Sequence, residues 1–175
     1  MTNEQAINLI KQLNIRCVIF DIDGVMTDGS IVVDSNGSEL FKTFNVKDGL
    51  GVQMLAKAGF ELGLITGRSS TIVATRAQTL GIRHVYQGKL EKTAAFEELL
   101  NKLSITDKQV AYIGDDMPDV PLLRRVGFSA CPADAHASAS AVAAWQSRFN
   151  GGRGAVREFA DLLLKAMENN DVEQK

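Results

Sequence analysis

The stretch Cys17-Val18-Ile19-Phe20-Asp21-Ile22-Asp23-Gly24 joins four consecutive apolar residues to two aspartates. An unbroken apolar run of this length is typical of a central strand that is buried on both faces of a sheet. Two further runs of the same kind lie at 62–65 and 110–113, and each is also followed by polar residues. The sequence therefore predicts a parallel sheet whose strands end in chemically active side chains.

Helical patterns separate these runs, which favours a three-layer, Rossmann-like α/β fold with helices on both faces of the sheet. Shorter strands are predicted at 84–86 and 127–131. Residues 31–33 and 40–44 flank Asp34-Ser35-Asn36-Gly37, which predicts a small β-hairpin. Helices are predicted at 4–13, 48–58, 70–80, 92–103, 118–126 and 155–168.

Length and composition limit the function classes. The 175 residues suit a single domain over 1–175, with a polar tail at 169–175 that we expect to be flexible. The net charge of −2 favours neither a nucleic-acid nor a membrane partner. Cys17 and Cys131 lie in apolar surroundings without metal-ligand spacing, which indicates buried thiols. With no apolar spanning run and no secretory pattern at the first residues, we expect a cytoplasmic protein.

Polar clusters follow the three strongest strands. Asp21 and Asp23 follow the first strand, Thr66-Gly67-Arg68 follows the second, and Asp115, Asp116 and Asp119 follow the third. Because ligands of open parallel sheets bind at the carboxyl ends of the strands, we expect these clusters to meet at one edge. Asp21 and Asp115 would repel each other unless a cation lay between them, and an all-oxygen site with a few carboxylates and several waters suits Mg²⁺.

Such an edge could carry phosphoryl transfer. A metal-held carboxylate can attack phosphorus and form an aspartyl-phosphate. A second carboxylic acid, Asp23, can protonate the leaving alcohol and then deprotonate the hydrolytic water. The Thr66 hydroxyl can donate to a phosphoryl oxygen, and a lysine can neutralise charge that the metal leaves uncovered.

Four motifs in order resemble those of the haloacid dehalogenase superfamily. They are Asp21-Ile22-Asp23-Gly24-Val25-Met26-Thr27, then Leu64-Ile65-Thr66-Gly67-Arg68, then Lys92, then Gly114-Asp115-Asp116-Met117-Pro118-Asp119. The resemblance implies Asp21 as nucleophile and metal ligand, and Asp23 as acid/base that also lends a carbonyl to the metal. It further implies Asp115 as metal ligand, Asp116 or Asp119 as support, and Thr66 and Lys92 as catalytic phosphoryl-holding residues.

A narrower resemblance covers about 18–165. The segments 44–49, 86–88, 133–136 and 151–158 look like those of the 3-deoxy-D-manno-octulosonate 8-phosphate (KDO 8-phosphate) phosphatases, a family of lipopolysaccharide biosynthesis. This resemblance implies a homotetramer without a cap domain, in which neighbouring hairpins associate and the glycine-rich segment 151–154 reaches an adjacent active site. It also implies a group of substrate-binding residues in addition to Asp23 and Lys92: Asn45, Val46, Lys47, Asp48, Gly49, Gln53, Arg68 and Arg76.

Gln53 departs from this pattern because relatives often carry a basic residue there. A phosphatase acting on a nine-carbon sugar acid 9-phosphate therefore stays open as an alternative substrate reading. A phosphoaspartate signalling domain and a non-catalytic subunit are more remote alternatives. Asp23 argues against a signalling domain, because it would promote hydrolysis of a stored phosphoryl group. The intact set of candidate catalytic residues argues against a non-catalytic subunit.

Structural roles stay open for several of these residues. Thr66, Asp48, Asp116 and Asp119 could cap helices, and Lys92 could be a solvated lysine of the first helical turn. Arg68, Arg76, Arg153 and Arg157 could be surface charges. The apolar hairpin residues could cover the chain's own core or form a subunit interface.

Overall fold

The computed structural model describes residues 1–168, and its centre is a six-stranded sheet in which every neighbouring pair is parallel. Its strands are β1 (Cys17–Phe20), β4 (Glu61–Ile65), β5 (His84–Tyr86), β6 (Val110–Ile113), β7 (Phe128–Cys131) and β8 (Trp145–Gln146). Their order is β5-β4-β1-β6-β7-β8. A separate antiparallel pair, β2 (Val32–Val33) and β3 (Glu39–Phe41), forms the hairpin. The predicted α/β class with a parallel sheet and a hairpin is confirmed.

Seven α-helices lie in the described residues. They are α1 (Asn3–Gln12), α2 (Val46–Lys57), α3 (Thr71–Leu80), α4 (Thr93–Leu103), α5 (Val120–Leu123), α6 (Ala137–Ser140) and α7 (Ala155–Glu168). α3 ends at Gly81, whose φ of 78° is the left-handed conformation that glycine adopts without strain. None of the helices among residues 1–168 combines the length and the apolar character needed to cross a bilayer.

The sheet is buried on both faces because alternate side chains of each strand enter different cores. Val18 and Phe20 of β1 pack into a cluster with α1, α2, α3 and α7. Cys17 and Ile19 enter a second cluster with α4 and α5. This division explains why the central strands are continuous apolar runs rather than alternating ones.

Some boundaries differ from the sequence prediction. The helix predicted at 118–126 is a 3₁₀ turn over Met117–Asp119 followed by the short α5. Strand β8 and helix α6 lie in an Ala/Ser-rich stretch for which no element was predicted. The tail at 169–175, predicted to be flexible, lies outside the described residues.

Candidate active site

The carboxyl ends of three strands meet at one place on the sheet edge. Phe20 is in register with Leu64 of β4 and with Ile113 of β6, so the residues that follow these strands are neighbours. They surround a cavity of about 180 Å³. Its lining consists of Asp21, Asp23, Thr66, Gly67, Arg68, Leu90, Lys92, Asp115, Asp116, Pro118 and Asp119.

Lys92 is the positive centre of this cavity. It directly precedes α4, and its side chain is only 3% exposed. Its Nζ lies 2.9 Å from Asp21 Oδ1 and 2.5 Å from Asp119 Oδ1. Burial lowers the pKa of Lys92, but the two carboxylates outweigh it and hold the pKa above its usual range. Lys92 is therefore a buried, charged lysine rather than a solvated one.

Asp119 fixes this arrangement through both of its carboxylate oxygens. Oδ1 accepts hydrogen bonds from Lys92 and from the Tyr112 hydroxyl, and Oδ2 accepts from the backbone N–H groups of Asp115 and Asp116. These bonds hold the loop after β6 against Lys92. Asp119 is thus a buried organiser of the site, whereas Asp116 is an exposed cap whose carboxylate accepts from the N–H of Met117.

Asp21 and Asp115 are two neighbouring carboxyl groups of the cavity whose pKa values are both raised. Burial raises the pKa of Asp21 to about 6, and Asp119 acts in the same direction against the opposing effect of Lys92. Burial, Asp21 and Asp119 together raise the pKa of Asp115 to about 8. Without a cation, it is therefore unfavourable for Asp21 and Asp115 to be ionised at the same time.

A divalent cation fits this donor set. One oxygen from each of Asp21, Asp115 and Asp119 lies within 4.8 Å of the others, although the Asp119 oxygens already accept from protein groups. Gly24 leaves room for the Asp115 carboxylate, since a Cβ at Gly24 would lie 2.1 Å from Asp115 Oδ2. Asp21 and Asp115 would therefore hold the ion through oxygen atoms, the ligand type that Mg²⁺ prefers.

Asp23 lies beside these carboxylates and is tied to the hairpin. Its Oδ1 lies 2.5 Å from Lys42 Nζ, and its Oδ2 lies 4.0 Å from Arg68 Nε. Lys42 also pairs with Glu39 at 3.0 Å. The sequence reasoning did not anticipate Lys42 and Glu39, because their proximity to Asp23 depends on how the hairpin folds back. Nor did it anticipate Tyr112, which a strand pattern marks only as core.

Thr66 completes the floor of the cavity. Its backbone N–H donates to the carbonyl of Tyr86, and its carbonyl accepts from the N–H of Lys89, so its position is fixed by both neighbouring segments. The residue is 2% exposed and lines the cavity. The cap of α3 is Ser70 and not Thr66, which leaves the Thr66 hydroxyl free of that alternative role.

The predicted substrate-binding residues around α2 lie outside this cavity. The Asn45 side chain caps α2 by accepting from the N–H groups of Lys47 and Asp48. The Asp48 carboxylate is buried and accepts from the N–H groups of Gly154 and Arg157 at the start of α7. Both oxygens of Asp48 are thus used at the start of α7, and its role in substrate binding stays a prediction.

Arg68 of the predicted set lines the cavity, whereas the remaining members do not. Val46, at 84% exposed, and Lys47 face outward, and Gln53 Nε2 donates to the carbonyl of Thr79. Arg76 lies over the ring of Phe44, 5.3 Å from its centroid, beside Gly49 and in a second cavity of about 400 Å³.

The glycine-rich segment braces the loop that follows Asp23 in its own chain. The N–H of Gly152 donates to the carbonyl of Val25, and a Cβ at Gly151 would lie 1.8 Å from the carbonyl oxygen of Gly24. Arg153 pairs with Asp28 at 3.1 Å, and Arg157 pairs with Asp161 at 2.8 Å. Glycine is required here by close approach of two backbones.

Comparisons with known proteins show the family of the chain. A family model described as haloacid dehalogenase-like hydrolase matches residues 68–159. The chain is 47% identical over 163 residues to the 3-deoxy-D-manno-octulosonate 8-phosphate phosphatase KdsC of Escherichia coli K12, which covers 93% of this chain and 86% of that protein.

Solved structures give the same picture. The phosphatase of that name from Moraxella catarrhalis, in complex with a magnesium ion, a phosphate ion and KDO, matches with a TM-score of 0.89 and 41% identity, over 97% of this chain and 95% of the other. A cobalt-bound form from Haemophilus influenzae matches with a TM-score of 0.86 and 40% identity, over 91% and 92%. The predicted superfamily is therefore confirmed: the chain belongs to the haloacid dehalogenase-like hydrolases.

Proposed function

We propose that this protein is a Mg²⁺-dependent phosphatase that hydrolyses KDO 8-phosphate to KDO and inorganic phosphate, as a step of lipopolysaccharide biosynthesis. The observation that carries the proposal is the buried set of Asp21, Lys92 and Asp119 beside Asp115 in one cavity. Phosphoryl transfer needs a nucleophile, positive charge and a proton donor at one place, and this cavity holds all three. We choose KDO 8-phosphate as the substrate because the similar proteins are named as phosphatases of this compound.

In the first half-reaction a carboxylate oxygen of Asp21 attacks phosphorus, and the bond from phosphorus to the sugar oxygen breaks. Asp23 gives its proton to that leaving oxygen, so the sugar departs as a neutral alcohol. Lys92 and the Thr66 hydroxyl donate to the phosphoryl oxygens. A bound Mg²⁺ would add charge neutralisation and hold the phosphoryl group close to Asp21.

In the second half-reaction Asp23, now ionised, takes a proton from a water molecule. The resulting hydroxide attacks phosphorus and breaks the bond to Asp21, which releases inorganic phosphate and restores both carboxyl groups. Asp119 keeps Lys92 and the loop after β6 in place throughout, since its own oxygens already accept four hydrogen bonds.

The proposal is tested by phosphate release from a panel of sugar phosphates, with Mg²⁺ present or removed by chelation. We expect KDO 8-phosphate to give the largest kcat/KM, and Asp21→Asn to abolish turnover. Asp23→Asn should lower kcat by about 10²–10⁴-fold, the usual size of acid–base assistance. No release above the Asp21→Asn control on any ester would contradict the phosphatase.

The same panel decides between the two substrate readings. Gln53 donates to the carbonyl of Thr79 and thus offers no charge to a sugar carboxylate within its own chain. A preference for the nine-carbon sugar acid 9-phosphate would contradict the KDO assignment and leave the phosphatase chemistry in place. We further propose a single domain, a cytoplasmic location and a homotetramer, in line with the narrower resemblance.

A further inference from the structure

Lys42 is a lysine with a buried side chain whose ammonium group contacts two carboxylates. Its side chain is only 1% exposed. Its Nζ contacts Asp23 Oδ1 at 2.5 Å and Glu39 Oε2 at 3.0 Å. Removing a lysine side chain from water is costly unless it is paired and hydrogen-bonded, so the contacts with these two acidic side chains are what allow Lys42 to be buried.

Glu39 is anchored independently of Lys42. Its Oε1 accepts a hydrogen bond from Ser70 Oγ at 2.9 Å, and its Oε2 lies 3.6 Å from Arg68 Nη2. Partial burial raises the pKa of Glu39, but the hydrogen bonds from Lys42 and Ser70 and the charges of Lys42 and Arg68 outweigh it and lower the pKa below its usual value. Glu39 therefore stays negatively charged and holds Lys42 through their ion pair.

Lys42 approaches Asp23 from outside the catalytic cavity. Asp23 lines that cavity, whereas Lys42 lines the neighbouring cavity that also contains Arg76. Lys42 is thus absent from the lining of the cavity that we propose for the phosphoryl group. This placement separates Lys42 from Lys92, which contacts Asp21 inside the cavity.

We propose that Lys42 is a positioning residue that, with Glu39 behind it, holds the Asp23 carboxylate toward the leaving oxygen. The proposal rests on the phosphatase function given above and adds a role for the hairpin to it. Asp23 lies beyond the end of β1 and directly before Gly24, and its carboxylate is held from the hairpin by Lys42 Nζ at 2.5 Å. A small displacement of such a group costs much of its catalytic effect.

The first test is Lys42→Met, which keeps a long buried side chain and removes the charge. We expect kcat for KDO 8-phosphate to fall about 10- to 100-fold with KM changed less than about threefold, since Lys42 does not line the catalytic cavity. Glu39→Gln should lower kcat in the same direction by a smaller factor. Lys102→Met, on the exposed last turn of α4, is the matched control and should leave both constants unchanged.

A double-mutant cycle separates positioning from direct binding. In an Asp23→Asn background, adding Lys42→Met should lower kcat by less than about twofold, because the group that Lys42 positions is already gone. If the losses of kcat from the two substitutions multiply in the double variant, the proposal is wrong, because Lys42 would then act on the substrate itself. An unchanged kcat in Lys42→Met alone, with the variant folded by circular dichroism, would overturn it as well.

The wild-type protein in the same assay tells this failure apart from failure of the proposed function. If the wild type releases no phosphate from any ester, both proposals fall. If it is active and Lys42→Met is equally active, only the role of Lys42 is lost. A rise in KM of tenfold or more at unchanged kcat would assign Lys42 to substrate binding and also overturn the positioning role.

Discussion

Asp115 shows how strongly the site depends on a cation. Its pKa is raised from 3.8 to about 8 by burial and by the neighbouring Asp21 and Asp119. In the metal-free protein the proton on Asp115 therefore stabilises the fold at low pH, and this stabilisation is lost as pH rises toward 8. A bound cation needs the ionised form and competes with that proton.

We predict that the thermal stabilisation by Mg²⁺ is larger at pH 8 than at pH 6. Each unit of pH below the pKa of Asp115 should weaken the apparent Mg²⁺ affinity by up to about tenfold, because one proton must be released per ion. Differential scanning calorimetry with Mg²⁺ or with a chelator measures the shift in Tm at each pH. Asp115→Asn should show little shift at either pH, and equal wild-type shifts at pH 6 and 8 would contradict the prediction.

At the scale of single residues, the sequence could predict the groups at strand ends but not those brought in by tertiary structure. Asp21, Thr66 and Asp115 follow buried strands, and a parallel sheet brings such positions together. Lys42 and Tyr112 carried no comparable signal. Lys42 reaches Asp23 only because the hairpin folds back. Tyr112 is one residue of a strand that is buried at every position, so the sequence marks it only as part of the core.

At the scale of elements, the strength of the local pattern decided what could be predicted. The four-residue apolar run of β1 and the amphipathic helix α7 were both predicted at their observed bounds. β8 contains only Trp145 and Gln146, too few residues to show a period. It is held by pairing with β7 and by the bond from Trp145 Nε1 to Asn3 Oδ1, which no local pattern reports.

The start of α7 depends on a residue more than a hundred positions earlier. Asp48 accepts from the N–H groups of Gly154 and Arg157, and both of its oxygens are used. These donors would otherwise be unpaired at a largely buried helix end. The contact joins α2 to α7, and residues of both helices enter the same core cluster.

We predict that Asp48→Ala lowers the free energy of unfolding by about 1–3 kcal/mol, because it leaves two backbone donors without an acceptor. Urea unfolding measures the change. Asp161→Ala is the matched control, since it removes only the partly exposed pair with Arg157 and should cost less than about 0.5 kcal/mol. A rise in KM without loss of stability in Asp48→Ala would instead favour the direct substrate contact that the sequence suggested.

At the scale of the whole molecule, the hairpin presents an apolar surface that the rest of residues 1–168 leaves exposed. Ile31, Val32, Val33, Leu40 and Phe41 are between 37% and 55% exposed. Residues implied in substrate binding, such as Lys47 and Arg76, lie away from the cavity of the same chain. Both features agree with the proposed homotetramer, in which one subunit would contribute to the site of another.

We predict that Val33→Glu shifts the protein to smaller species in sedimentation velocity, because it places a charge in the apolar surface of the hairpin. Val33 is 49% exposed and so can be replaced without opening the core. Val85→Glu is the control, since Val85 is also partly exposed but lies on edge strand β5 of the central sheet and not on the hairpin. The Val33→Glu variant should still hydrolyse a small phosphate ester, because its own chain supplies Asp21, Asp23 and Lys92, whereas kcat/KM for KDO 8-phosphate should fall by tenfold or more. If it stays as large as the wild type, or if a smaller species keeps full preference for KDO 8-phosphate, the hairpin surface has a different role and substrate choice resides within one chain.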